Sequence, residues 1–145
     1  MLKSFFTDAD KALLLNAIQQ AESNTSGEIR IHVENHCKGD VMDRAATVFA
    51  LLAMHKTALR NGVLFYLAVK DKKFAILGDA GINKAVPIHF WEEIKTQMKS
   101  QFTHQHFAAG LAEGIIATGQ QLQQHFPYQS DDQNELSDDI SFKDN

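Results

Sequence analysis

The chain has 145 residues, 44% of them hydrophobic, and a formal net charge of −4. It is long and apolar enough for one domain with a substantial core, and its single cysteine, Cys37, excludes an internal disulfide and a multi-thiolate zinc site. The acidic excess sits at one end: residues 127–145 hold six acids and one lysine, leaving 13 basic and 12 acidic residues in 1–126, a body without the basic stripe that nucleic acid requires.

The N-terminal MLKSFFTDADK lacks the apolar segment of a signal peptide and no 18-residue apolar run follows, so the expectation is a cytoplasmic protein with no direct membrane insertion. Thr7-Asp8-Ala9-Asp10 reads as a helix cap with acids in the first turn. Leu13, Leu14, Ala17, Ile18 and Ala21 then fall on one helical face. Asn24-Thr25-Ser26-Gly27 breaks that helix. Glu28 to Glu34 alternates strictly, with Ile29, Ile31 and Val33 on one side and Glu28, Arg30, His32 and Glu34 on a side expected to be only partly covered. Asp40 caps a second helix with Val41, Ala45, Val48, Phe49, Leu52 and Leu59 as its buried stripe.

From Asn61 to Pro87 the pattern is denser. Gly62 opens a run in which Val63 to Val69 is apolar enough for a strand covered on both faces. Lys70-Asp71-Lys72-Lys73 reverses the chain and Phe74 to Leu77 returns as a hairpin strand. Gly78-Asp79-Ala80-Gly81 reads as an acidic glycine loop, and Pro87 as the first turn of a helix carrying Ile88, Trp91, Ile94 and Met98. A last helix is expected from about Phe102 to Phe126, with Ala108, Leu111, Ala112, Ile115, Gly119 and Leu122 inward. The polar tail, 127–145, is expected to be loosely held, although Leu136, Ile140 and Phe142 are able to dock it on the sheet edge.

This order predicts an α/β fold, a three-layer αβα sandwich around a small mixed β-sheet in a single domain, 1–126. The strand–helix–strand unit makes the first two strands parallel and the hairpin makes the third antiparallel. The end of the third strand, Gly78-Asp79, then lies beside the starts of the other two, so Glu28 and Asp79 are expected to converge.

Thr25-x-Gly27-Glu28-Ile29, Asn61-Gly62-Val63-Leu64 followed by Ala68-Val69-Lys70-Asp71-Lys72-Lys73, Gly78-Asp79-Ala80-Gly81-Ile82 with Pro87 beyond, and Phe107-Ala108-Ala109-Gly110-Leu111 together resemble the TPM domains, over about residues 5–126. The resemblance is to a stand-alone member; commoner members carry a signal peptide and often a membrane helix. It implies an αβα sandwich and a divalent cation, calcium in several members with Mg2+ or Mn2+ as alternatives. It also implies one of two roles, since one member is described as an acid phosphatase and others serve as auxiliary subunits.

Calcium takes six to eight oxygens from carboxylates, amides and backbone carbonyls, and a glycine loop beside converging acids offers all three. Asp79 and Glu28 are the carboxylate candidates, Gly78 and Asn61 supply backbone or amide oxygens, and Asn83 and Glu113 are candidates to complete the shell. Each has a plainer role open to it: Asp79 as partner of its own turn, Asn61 in a turn pair, Glu28 and Glu113 on solvated faces. Asp40 and Asp43 near Glu34 form a second acidic group that reads as a helix cap.

Other constellations carry less. His104-Gln105-His106 lacks the i, i+4 spacing of a helical metal pair. His36-Cys37 with Arg44 has an offset of seven where a cysteine-phosphatase loop needs six, and Asp8-Ala9-Asp10 opens a helix instead of following a strand. The leading expectation is a divalent-cation binding domain whose metal orders loops and tunes a protein partner. The alternative is a metal-dependent acid phosphatase acting on phosphomonoesters, with Arg60 and Lys84 as phosphate contacts; a plain scaffold using the sheet edge or the tail is the third.

Overall fold

The structure, a computed structural model, describes residues 2–87, 89–128 and 136–145. After a 3-10 turn at Leu2–Ser4, the elements are α1 (Asp8–Glu22), β1 (Glu28–Glu34), α2 (Val41–Leu51), β2 (Gly62–Ala68), β3 (Lys73–Gly78), α3 (Ala80–Ala85), α4 (Phe90–Thr103), α5 (Phe107–His125) and β4 (Ser141–Lys143). Among the described residues the sheet runs β3-β2-β1-β4. β1 and β2 are parallel, Glu28 opposite Gly62 through Glu34 opposite Ala68, and β3 is antiparallel to β2. The mixed α/β sheet expected from the sequence is present.

The period-2 and period-3.6 patterns sort the core into two layers. Ile29, Ile31 and Val33 of β1 join Val63, Phe65 and Leu67 of β2 and the inner faces of α1, α4 and α5. On the opposite face Leu64, Tyr66, Ala68 and Ala75 meet Ala45, Val48 and Phe49 of α2. α1 lies close on α5: a Cβ on Gly119 would come 2.5 Å from the Ala21 side chain. No described helix is long and apolar enough to cross a membrane.

Several boundaries differ from the sequence expectation, each for a local reason. α2 stops at Leu51 and does not reach Leu59, which is exposed. Ala53 takes the left-handed conformation at φ 55°, its N–H donates to the Ala50 carbonyl, and the buried Met54 donates back to Phe49. That is a Schellman stop with its apolar residue tucked in. Gly78-Asp79-Ala80-Gly81 is no open loop, because Asp79 caps the short helix α3. α4 starts at Phe90, beyond Pro87, and α5 at Phe107, after a turn at His104 to His106 in which Gln105 has φ 63°. Leu13 of α1 is exposed while Leu14, Ala17, Ile18 and Ala21 are buried, and Thr7 with Asp10 forms a complete capping box.

The described part of the tail, residues 136–145, takes the docked alternative. Residues 129–135 and Ile88 lie outside the described residues. Residues 136–145 return to the sheet: Ser141–Lys143 forms β4, parallel to β1 from His32 opposite Ser141 to Glu34 opposite Lys143. Ile140 and Phe142 pack on the main core and Leu136 on the α2 layer. The few apolar residues of an otherwise charged segment are enough to cover the open edge of β1. Glu28, His32 and Glu34 are buried where partial exposure was expected, with Ser141 of β4 set against His32.

Candidate functional site

Two groups of polar residues flank opposite ends of β1. At its amino end, the Asp79 N–H donates to the Gly62 carbonyl and Glu28 pairs with Gly62, so both strand ends meet at β2 as the topology requires. The Asp79 carboxylate, however, is turned to Arg60. Arg60 Nε donates to Oδ2 at 2.6 Å and Nη2 to Oδ1 at 2.8 Å, while the Ala80 N–H also donates to Oδ1 at 2.8 Å. Arg60 holds a left-handed backbone at φ 52° and its carbonyl accepts from Gly81 N–H; a Cβ on Gly81 would lie 2.1 Å from the Leu59 carbonyl oxygen. The glycine is there for close approach of two backbones.

Of the other cation-ligand candidates, Gly78, Asn83, Asn61 and Glu28 belong to this junction, whereas Glu113 sits on α5 beside the far end of α4. The Gly78 carbonyl accepts from Asn83 Nδ2 at 2.9 Å, and Asn83 Oδ1 accepts from Trp91 Nε1 at 3.3 Å. Asn61 is buried: its N–H donates to Thr57 Oγ1, its Nδ2 to Ser26 Oγ, and its Oδ1 has no hydrogen-bond partner. Glu28 is 2% exposed. Glu113 lies on α5 and accepts from Gln101 Nε2 of α4 at 3.1 Å. Calcium would need several of these oxygens pointed at one centre. Among the described residues no three His, Cys, Asp or Glu side chains form such a group, so this arrangement does not fit the ion unless Asp79 leaves Arg60.

At the carboxyl end of β1 the side chains do converge. Glu34 is fully buried and accepts from Arg44 Nε at 2.8 Å and Nη2 at 2.9 Å, from the Tyr66 hydroxyl, and shares a hydrogen bond with His32 Nε2 at 2.9 Å. Burial alone would raise its pKa, but the hydrogen bonds from Arg44, Tyr66 and His32 outweigh it and bring the carboxyl down to about 2. It stays ionised. Burial lowers the pKa of His32 despite Glu34, so the imidazole is neutral near pH 7. With Glu34 ionised, Nε2 carries the ring proton, and Nδ1, 2.8 Å from Ser141 Oγ, accepts from that hydroxyl. Burial, then the bond to Glu34, holds Tyr66 protonated.

The loop from β1 to α2 is pinned around this network. Asp71 accepts from Cys37 N–H at 2.7 Å and pairs with His36 Nδ1 at 2.9 Å, and His36 is the first cause holding its carboxyl below the usual range. Lys73 Nζ donates to the carbonyls of Cys37 and Gly39, the latter left-handed at φ 78°. Asn145 Oδ1 accepts from the N–H groups of Asn35 and His36. Asp40 caps α2 through Met42 and Asp43 N–H, and the group that meets Glu34 is Arg44. Cys37 is 2% exposed, and Arg44, seven positions on, is held to Glu34 through Nε and Nη2.

Above the network opens a cavity of about 590 Å³ lined by His36, Lys38, Arg44, Lys143 and Asn145. Lys38 and Lys143 have no ion-pair partner among the described residues. The sequence reading missed this site because Lys143 joins Lys38 and Arg44 only through the pairing of β4 with β1. The available signal was an acid ending a strand, followed by an arginine in the first turn of the next helix, at the strand ends where open α/β sheets bind ligands.

The fold and this arrangement define a small α/β domain with a polar site at its parallel strand ends, and comparison places it more narrowly. The TPM domain family model matches residues 2–121, so the chain belongs to the TPM domain family. It is similar to the BA42 protein of the psychrophilic bacterium Bizionia argentinensis, at 45% identity and TM-score 0.90 over 96% of each chain. The N-terminal domain of the cg2496 protein of Corynebacterium glutamicum (11% identity, TM-score 0.66, 81% of this chain and 74% of that one) shares the fold. So does an N-terminal domain from P. gingivalis (18% identity, TM-score 0.65, 86% and 82%). No curated protein matches.

Proposed function

We propose that this TPM domain binds the phosphate of a small phosphomonoester in the cavity at the carboxyl ends of β1 and β4. The observation that carries the reading is the convergence of Lys38, Arg44 and Lys143 on one cavity, with His36 beside them. Phosphate binds through charge-assisted hydrogen bonds to such groups, and a guanidinium anchored by a buried carboxylate presents its remaining N–H donors in a fixed direction. A chain of net charge −4 that gathers cations at one opening also focuses anions there in spite of its overall sign. Calorimetric titration with phenyl phosphate at low ionic strength tests it. Lys38→Ala/Lys143→Ala should weaken binding roughly tenfold or more, the loss of one to two charge-assisted bonds. Unchanged affinity would remove the cavity from the account.

A second reading, a calcium-binding junction at Asp79, Glu28 and Asn61, is favoured by one observation: Asn61 Oδ1 is buried with no partner. Here Arg60 acts as a competitor, its half-exposed guanidinium free to swing away when an ion takes the Asp79 carboxylate. An ion that binds only the folded state raises its stability by mass action. Millimolar calcium should therefore raise the melting temperature, more so in Arg60→Ala, and Asp79→Asn should remove the rise. A calcium response that survives Asp79→Asn would reject this assignment.

A further inference from the structure

The polar network does more than hold Arg44. Ser141 on β4 stands directly opposite His32 on β1, and Lys143 opposite Glu34, so four side chains occupy one face of two adjacent strands, and Lys143 of this set also lines the cavity. Along that face runs a continuous relay: Ser141 Oγ to His32 Nδ1 at 2.8 Å, and His32 Nε2 to Glu34 Oε1 at 2.9 Å. Glu34 is held in turn by Arg44 and Tyr66, and the His32 ring stacks on Tyr66 at 5.9 Å between centroids. The imidazole is fixed in place, in its tautomer and in its orientation. A hydroxyl within hydrogen-bond reach of a base that is itself oriented by a third group is the arrangement that activates a serine.

We propose that Ser141 is a nucleophile toward phosphorus, with His32 as its general base and Glu34 as the positioning residue that fixes the His32 tautomer. Ser141 is partly exposed, whereas His32 and Glu34 are not. It also lies outside residues 2–121, so the family match does not bring it in. The substrate class rests on the phosphomonoester reading above. Ser141 Oγ bonds to phosphorus as the bond from phosphorus to the leaving oxygen breaks, and the hydroxyl proton passes to His32 Nδ1. The leaving alkoxide takes a proton from water. The oxygen of that water then bonds to phosphorus, the Oγ–P bond breaks, and His32 returns its proton to Oγ. Lys143, two residues along the same face, and Lys38 and Arg44 at the cavity supply the positive charge that such a transfer uses.

The full chain is treated with an alkyl fluorophosphonate, in which Oγ displaces fluoride from phosphorus, and the adduct is followed by intact mass and located by peptide mapping. The expected result is one phosphonyl group per chain, on Ser141, with labelling at least a hundredfold slower in Ser141→Ala and slowing below the His32 pKa as pH falls. Mapping the adduct on the wild-type chain needs no variant to fold. An unlabelled wild-type chain, or an adduct on another residue, overturns the proposal. Phenyl phosphate calorimetry on the wild-type chain runs beside it. Binding without labelling rejects the nucleophile and leaves the binding site, whereas Ser141 labelling without binding upholds the nucleophile and rejects the substrate class.

Discussion

Glu22 closes the edge of β1 where β4 runs out. Its Oε2 accepts from Ile29 N–H at 2.8 Å, on the side of the strand that β4 pairs only from His32 onward. Burial, and then the neighbouring carboxylates of Asp138 and Glu28, push its carboxyl up to about 9 from an ordinary 4.5, against the Ile29 bond. A folded pKa above the unfolded one means the contribution to stability is complete below about pH 4.5 and is lost as pH rises toward 9. Glu22→Gln keeps an acceptor for Ile29 and removes the titration. Thermal scans should show the variant gaining on wild type by several degrees between pH 5 and pH 8; parallel curves would show that Glu22 is ionised in the folded state. Glu34 runs the other way, its stabilising contribution present above about pH 4.5 and lost as pH falls toward 2. Neither role was legible in the sequence. Period-2 alternation shows which face Glu34 takes, but its burial depends on a helix and a strand whose covering no local pattern reports.

At the scale of elements, the patterns that were read correctly are those whose signal is local. β1 follows from strict alternation over Glu28–Glu34, α1 from Thr7 with Asp10, and the β2–β3 hairpin from an apolar run meeting a charged turn. The expected approach of the Asp79 and Glu28 strand ends follows from topology, and the backbone obeys it. The Asp79 side chain does not follow, because Arg60, two residues before the strand it flanks, reaches it first. α3 was missed because Asp-Ala-Gly reads equally as a turn and as a cap, and six residues carry no periodicity. β4 was legible only as the capacity of Leu136, Ile140 and Phe142 to dock on the sheet edge; its pairing partner is 109 residues away, so no local pattern fixes the register. Its docking makes a definite stability prediction. Deleting residues 136–145 uncovers the edge of β1 and the apolar contacts of Leu136, Ile140 and Phe142, a loss of about 3 kcal/mol. At roughly 3 °C per kcal/mol for a chain of this size, the melting temperature should fall by about 10 °C. A midpoint within a degree or two of the full chain would show that β4 adds nothing to the core.

For the whole molecule, the sheet separates two chemistries by the length of β1. The amino end holds Asp79 locked to Arg60, and the carboxyl end holds a buried anion, a neutral histidine and a rim of cations around a cavity. The metal-ligand pattern drew the sequence reading to the first end, since carboxylates beside glycines are visible in a short window. Three basic residues at positions 38, 44 and 143 are visible only when the chain has folded. The most direct test is to follow amide and arginine side-chain NMR signals while phenyl phosphate is added at low ionic strength. Shifts that saturate at His36, Lys38, Arg44 and Lys143, and that disappear in Lys38→Ala/Lys143→Ala, are the expected result. Saturable shifts centred on Arg60, Asp79 and Asn83, or none at either end of β1, would contradict the assignment of the carboxyl end as the binding site.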